Sequence, residues 1–253
     1  MKKLVLLFAT AVLALTSCTN NKTNSTSTII SGLIKTATDG TNVTTYIYNS
    51  SKIVKEVGAN YTHTYTYTGD LITGMMRVQE NYVSSIEYTY DKGKLISELI
   101  KSNGGIGTTF YNISGGDYTY NADGTVTARY YYYSNGSAML YESEKLGNLV
   151  KVESFNAQEV IDHVTTYEYD TKNNPFKGIL GYDKLIVYEL ISASNIIKST
   201  ETNSSGSDSS TTITTNAYTY NIDGYPLTQT TTTVSTQGTN VSQTTTSNKQ
   251  YGY

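Results

Sequence analysis

The 253-residue sequence contains no tryptophan, one cysteine, two prolines and two histidines. A single cysteine cannot form a disulfide within the chain, so stability must come from sheet pairing and packing. Charged residues make up only 15% of the chain and the net charge is −3, which excludes a chain kept disordered by its own charge. Leucine, isoleucine, valine and phenylalanine are scarce for a folded protein. The 25 tyrosines supply the missing apolar area.

Threonine, isoleucine, valine and tyrosine dominate what is present. Branched and aromatic side chains fit the half-buried surface of a strand better than that of a helix, so the composition predicts an all-β protein. The length allows one large domain and does not require two.

The N-terminal segment has the pattern of a targeting sequence. Met1–Lys3 is basic, Leu4–Leu15 is apolar apart from Thr10, and Thr16–Cys18 consists of residues with small side chains. This apolar run is shorter than the ~20 residues that span a bilayer as a helix. The order of the three parts predicts a secretory signal peptide at residues 1–17.

Leu15-Thr16-Ser17-Cys18 resembles the lipobox of bacterial lipoproteins, which implies that Cys18 is lipidated and becomes the new N-terminus. The alternative is a secreted protein in which Cys18 has no role. If Cys18 is lipidated, residues 18–28 form a flexible lipid tether, which is polar and low in complexity. Surface-exported Bacteroidota lipoproteins often carry acidic residues at this place. The tether has none and contains Lys22, which favours an outer-membrane lipoprotein facing the periplasm.

A repeat runs through residues 29–253, which we expect to form a single domain. Its unit is Tyr-x-Tyr, a short polar turn and an aliphatic pair. Intact units begin at Tyr46, Tyr65, Tyr88, Tyr118, Tyr167 and Tyr218, and a degraded copy begins at Tyr141.

Each unit predicts a β-hairpin. Alternate strand residues share a face, so both tyrosines of a pair point the same way, and Asp or Asn near Gly suits a tight turn. Seven units predict an antiparallel meander of a dozen or more strands, curled into a barrel-like or half-open roll with its tyrosine face inward. A transmembrane barrel is the alternative, but it needs a continuous apolar band where these strands carry Thr, Ser and Lys.

Two segments depart from the repeat. Lys177–Asn195 has aliphatic residues but no tyrosine pair, so it is either a short helix or packed loop that plugs one end of the sheet, or a strand from Lys184 to Ser192. Residues 228–235 and 240–247 form a last hairpin that is polar on both faces. Its register is weakly specified, which predicts a frayed end or an edge.

The stretches YEYDTKNNPF (167–176) and YTYNIDGYPL (218–227) carry a family resemblance. The unit resembles the tyrosine–aspartate (YD) repeat of Rhs-type proteins. With the lipobox, the chain looks like predicted Bacteroidota lipoproteins of unknown function with a porin-like, rolled β fold. The resemblance covers roughly residues 40–235. It implies the architecture and assigns no catalytic residue.

Residues for catalysis are sparse. His63 and His163 lie in no paired spacing for a metal, and the Asp-Gly turns at 123 and 223 lack the ligand set of a calcium loop, so we expect no metal. No phosphate loop, nucleophile elbow or cofactor fingerprint occurs, so we expect no cofactor. A pair of carboxylates could still serve a hydrolase of glycan or peptide. The candidates in the repeats are Glu87, Asp91, Glu98, Glu142, Glu144, Glu153, Glu168 and Asp170.

Tyr130, Tyr131, Tyr132 and Tyr133 form the one aromatic run. Two must point to each face of a strand, so an exposed pair would suit a sugar or peptide ligand. The alternative is that they are packing tyrosines of the repeat. Nucleic acid is disfavoured as a partner because the chain is acidic and its cations are scattered. The sequence therefore predicts a lipid-anchored, non-enzymatic binding or structural module of the cell envelope, with a glycan or envelope protein as partner.

Overall fold

The computed structural model describes residues 32–104, 109–122, 126–132, 141–146, 148–155, 161–185, 192–203, 209–238 and 240–253. The predicted signal peptide, the tether and Cys18 lie outside these ranges. The elements are β1 (Thr36–Asp39), β2 (Asn42–Asn49), β3 (Lys52–Val57), β4 (Thr62–Thr68), β5 (Leu71–Gln79), β6 (Tyr82–Asp91), β7 (Lys94–Ser102), β8 (Tyr111–Tyr120), β9 (Val126–Tyr132), β10 (Tyr141–Leu146), β11 (Asn148–Phe155), β12 (Ile161–Tyr169), a 3₁₀ turn (Tyr182–Lys184), β13 (Ile196–Asn203), β14 (Ser210–Tyr220), β15 (Pro226–Gln237) and β16 (Asn240–Gly252).

All 16 strands belong to one antiparallel sheet in the order β10 to β16 and then β1 to β9. The predicted all-β meander is confirmed. The first and last strands pair, with Thr36 opposite Gly252. The order therefore breaks at only one place in the described sheet, between β9 and β10. These two strands approach within 8 Å between Cα atoms, yet no ladder of described residues joins them, so the sheet is not closed into a barrel.

The hairpins follow the repeat. The second tyrosine of a unit pairs with the buried member of the aliphatic pair, as Tyr48 does with Ile53, Tyr67 with Ile72 and Tyr90 with Leu95. The register then shifts by one residue, so the residue that follows the buried aliphatic residue sits in a β-bulge. Ile53 and Leu95 are fully buried, whereas Ile96 is 38% exposed. Alternation along the strand turns Ile53 and Leu95 to the core and the next residue outward, and the bulge brings the third residue after them back to the inner face.

The tyrosine face is the inner face of the sheet. The first tyrosines Tyr65, Tyr88 and Tyr118 are buried among Ile53, Ile72, Leu95 and Val126. The hydroxyl of a second tyrosine reaches the backbone of the preceding unit, since Tyr90 donates to the Ile72 carbonyl at 2.8 Å. The same link occurs one unit earlier, where the Ile53 amide donates to the Tyr67 hydroxyl at 3.2 Å, so these repeats are tied by both packing and hydrogen bonds.

Residues 170–185, which we call the cap, cover one end of the inner face. The Leu180 amide donates to the Ser51 carbonyl, and Tyr67 donates to the Leu180 carbonyl at 3.1 Å. Ile179 and Leu185 are buried in the same core as the tyrosines. The described part of 177–195 is thus a packed turn with one short 3₁₀ element that plugs the sheet. Residues 186–191 of the alternative strand lie outside the described ranges.

The prediction of a frayed edge at the C-terminal hairpin is wrong. Strands β15 and β16 lie in the middle of the strand order because β16 pairs with β1. Hydroxyl and amide contacts on the inner face also tie β15 to β14. Thr214 meets Thr233 at 3.1 Å, and the amide oxygen of Asn216 accepts bonds from Gln229 and Thr231. No helix among the described residues is long and apolar enough to cross a membrane.

Candidate functional site

The most polar group of side chains on the inner face gathers around Glu56. We call it the Glu56 cluster, and it consists of Glu56, Tyr61, His63, Tyr65 and Arg77. Three members are direct neighbours across strands, because Glu56 of β3 pairs with His63 of β4, and His63 pairs with Arg77 of β5. A carboxylate, an imidazole and a guanidinium thus lie in one row.

Glu56 accepts three hydrogen bonds. Tyr61 donates to Oε1 at 2.7 Å and Tyr65 to Oε2 at 3.1 Å, while Nδ1 of His63 lies 3.3 Å from Oε2. Burial acts to raise the pKa of Glu56, but these hydrogen bonds outweigh it and the pKa is lowered. The group is therefore a partly buried carboxylate that stays ionised.

Tyr61 lies over the other polar members. Its ring is 4.7 Å from the ring of His63 between centroids, and the guanidinium carbon of Arg77 is 5.6 Å from its centroid. The ring also occupies the space beside Gly58, where a Cβ would come within 2.2 Å of it. Tyr61 and Gly58 close a turn by a backbone hydrogen bond of 3.0 Å, at the end of the sheet opposite the cap.

A second carboxylate, Glu98 of β7, faces the same interior. It is only 7% exposed, and burial raises its pKa to about 7 against an opposing hydrogen bond from Tyr118. Its cross-strand partners are Tyr88 and Gly116. Glu98 therefore has fewer donors than Glu56 and holds its proton more tightly.

Glu98 is the only carboxylate predicted from the sequence that is buried among the described side chains. Glu87 and Glu168 form exposed ion pairs with Lys101 and Lys198. Asp170 anchors the cap, where it accepts the Asn195 amide at 3.0 Å. Asp91 is exposed and Glu153 pairs with Lys151, while the side chains of Glu142 and Glu144 lie outside the described set.

Sequence reasoning missed Glu56, Tyr61 and Arg77. A signal existed for Glu56, because it follows the buried Ile53 by three residues, as Glu98 follows Leu95. The bulge after the aliphatic residue turns this third position inward. Tyr61 and Arg77 lack such a signal, since their role depends on the turn at Gly58 and on the pairing of β4 with β5.

The two histidines have different surroundings. Nε2 of His163 lies 3.3 Å from Glu201, and both side chains are partly exposed. His63 is the one inside the Glu56 cluster. No group of three or more His, Cys, Asp or Glu side chains that could hold a metal occurs in the described part of the chain.

The tyrosine run divides between the two faces. Tyr130 packs inward against Tyr118, with ring centroids 6.2 Å apart. Tyr131 lies on the outer face over Gly115, where a Cβ would meet its ring at 2.7 Å. Tyr132 ends β9 without a described side chain, and Tyr133 lies outside the described residues. A ligand surface at Tyr130–Tyr133 stays a prediction.

No protein-family model matches the chain. No curated protein matches it in sequence. The chain is similar to the crystal structure of a porin-like protein from Bacteroides uniformis, with 12% sequence identity over 83% of this chain and 77% of that chain, and a TM-score of 0.38.

Proposed function

We propose that the chain is a lipid-anchored protein of the outer membrane that faces the periplasm and acts as a non-enzymatic binding module. The observation that carries the binding role is the inner face, which the cap covers at one end and which displays polar and aromatic side chains at the other. Glu56, Tyr61, His63 and Arg77 line this second end on one wall. Thr214, Asn216 and Thr233 line another part of the same face.

The outer face supports a domain held in water beside the membrane. The ion pairs Lys101–Glu87 and Lys198–Glu168 lie on strands β6, β7, β12 and β13 and point away from the core. Charged side chains on the outer face of a sheet are costly against the apolar interior of a bilayer. The lipid at Cys18 would hold the domain near the bilayer through the 18–28 tether, and a glycan or an envelope protein is the expected ligand.

A hydrolase that uses two carboxylates is the second candidate, and Glu98 is the observation that favours it. A pKa near 7 is what a general acid needs at neutral pH. A glycosidase, however, holds its two carboxyl groups about 5–10 Å apart. Glu56 and Glu98 lie four strands apart in the sheet, or about 19 Å along it. We therefore place binding ahead of hydrolysis.

Metabolic labelling with palmitate tests the anchor, and protease treatment of intact cells tests the orientation. We expect the wild type to take up label, Cys18→Ala to lose it, and the domain to be protected until the outer membrane is opened. Label retained by Cys18→Ala would overturn the anchor. Digestion on intact cells would place the domain on the cell surface instead.

A glycan array probed with the lipidated protein in a detergent without a sugar headgroup tests the binding role. Glycans on the array that retain the protein and are not cleaved by it would support a binding module. Release of product from any spot, lost in Glu98→Gln, would instead support the hydrolase.

A further inference from the structure

Tyr61 covers the row of Glu56, His63 and Arg77 with its own side chain. Its hydroxyl donates to Glu56, and its ring lies over His63 and Arg77. The Tyr61 side chain, a ring with a hydroxyl group, thus occupies the place over these three residues. Tyr61 precedes β4 and belongs to the short turn from Gly58, so it can leave without breaking a strand.

The closed arrangement leaves two polar atoms without partners. Nε2 of His63 and Nε of Arg77 are buried and make no hydrogen bond with the described residues. In the neutral ring, Nδ1 of His63 donates to Glu56, so Nε2 is an acceptor, whereas Nε of Arg77 is a donor. Buried polar atoms without partners are costly, which weakens the closed position of Tyr61.

We propose that Glu56, His63 and Arg77 form a subsite for a neutral saccharide, and that Tyr61 is a lid which the sugar displaces. This inference rests on the proposed binding function and names its ligand class. It adds where the ligand binds, which residue acts as the lid and which side chains recognise the ligand.

The chemistry of the three side chains fits a sugar. One hydroxyl can donate to Nε2 of His63 and accept from Nε–H of Arg77, because a hydroxyl does both. A neighbouring hydroxyl can donate to Glu56 in place of Tyr61. Glu56 and Arg77 carry opposite charges, so together they add no net charge to the row, which favours a neutral ligand over an anion.

The chain contains two histidines, so histidine ring resonances give a direct test. Lipidated full-length protein carrying isotope-labelled histidine would be titrated with the methyl glycosides of glucose, galactose, mannose, fucose and N-acetylglucosamine. We expect at least one of them to shift the His63 resonance saturably and to leave His163 unchanged. His163 is the internal control because its Nε2 is already paired with Glu201.

Two variants separate a lid from a structural contact. Tyr61→Phe removes the hydrogen bond to Glu56 but keeps the ring. The state in which residue 61 has left the subsite is then more populated, so the affinity for the sugar should rise about tenfold. Arg77→Met removes one partner of the sugar and should weaken binding about tenfold or more. A purely structural cluster would lower thermal stability in both variants and would bind no sugar in either.

The outcomes distinguish the subsite from the binding function. A silent His63 resonance in both wild type and Tyr61→Phe overturns the subsite. If the array described above still retains the protein in that case, binding occurs elsewhere and the proposed function stands. Undiminished sugar affinity in Arg77→Met likewise overturns the subsite.

Discussion

Glu56 and Glu98 occupy the same position of the repeat, yet their pKa values shift in opposite directions. Each follows a buried aliphatic residue by three places, and a bulge turns each inward. The neighbour on the next strand makes the difference, because Glu56 faces His63 and Glu98 faces Gly116. Three donors keep Glu56 ionised, whereas burial raises the pKa of Glu98 to about 7.

Glu98 should make the protein less stable as the pH rises. Its pKa is about 7 in the folded state against an ordinary value of 4.5, so the folded state binds the proton more tightly. This tighter binding adds roughly 3 kcal/mol to the free energy of unfolding below about pH 4.5, and the addition is lost as the pH rises through 7. We expect Glu98→Gln to lack this loss. Urea denaturation of both proteins at pH 4.5 and 8 measures it, and parallel pH profiles would contradict it.

Glu56 should show the opposite pH dependence. Its folded pKa is lowered, so its stabilisation is present above its ordinary pKa and lost as the pH falls through the folded value. Glu56→Gln should therefore cost roughly 2 kcal/mol at pH 7 and less in acid. Glu168→Gln, in an exposed pair with Lys198, is the matched control and should change stability by less than about 1 kcal/mol. An equal cost for both variants would show that the cluster does not stabilise the fold.

The repeat made much of this fold predictable. Tyr-x-Tyr followed by a turn and an aliphatic pair predicted hairpins, and the pairing of Tyr48 with Ile53 or Tyr90 with Leu95 confirms them. The position of β16 beside β1 was not predictable in this way, because a Thr-rich strand has no strong facial contrast. The Glu56 cluster was also hidden, since it depends on cross-strand register and on the single turn at Gly58.

The cap should depend on a close approach at Gly181. This residue has φ 78° and a Cβ there would lie 2.5 Å from the carbonyl oxygen of Asp70. Gly93 has φ 77° but nothing within 4 Å of the same position, so it isolates the cost of the backbone conformation. We expect Gly93→Ala to lose about 1 kcal/mol and Gly181→Ala about 1–3 kcal/mol more. Thermal and urea unfolding would compare them, and equal losses would mean that the cap moves aside without cost.

The tyrosine hydroxyls should hold neighbouring repeats together. Tyr90 donates to the carbonyl of Ile72, a residue with no exposed surface, so Tyr90→Phe leaves that buried oxygen without its hydroxyl donor. We expect a loss of about 1 kcal/mol in the free energy of unfolding. Tyr111→Phe is the control because Tyr111 is 63% exposed, and it should change stability by a few tenths of a kcal/mol. Hydrogen exchange should also speed up at the β5–β6 ladder in Tyr90→Phe. If exchange there is unchanged while stability falls, the hydroxyl acts through packing and not through the link between repeats.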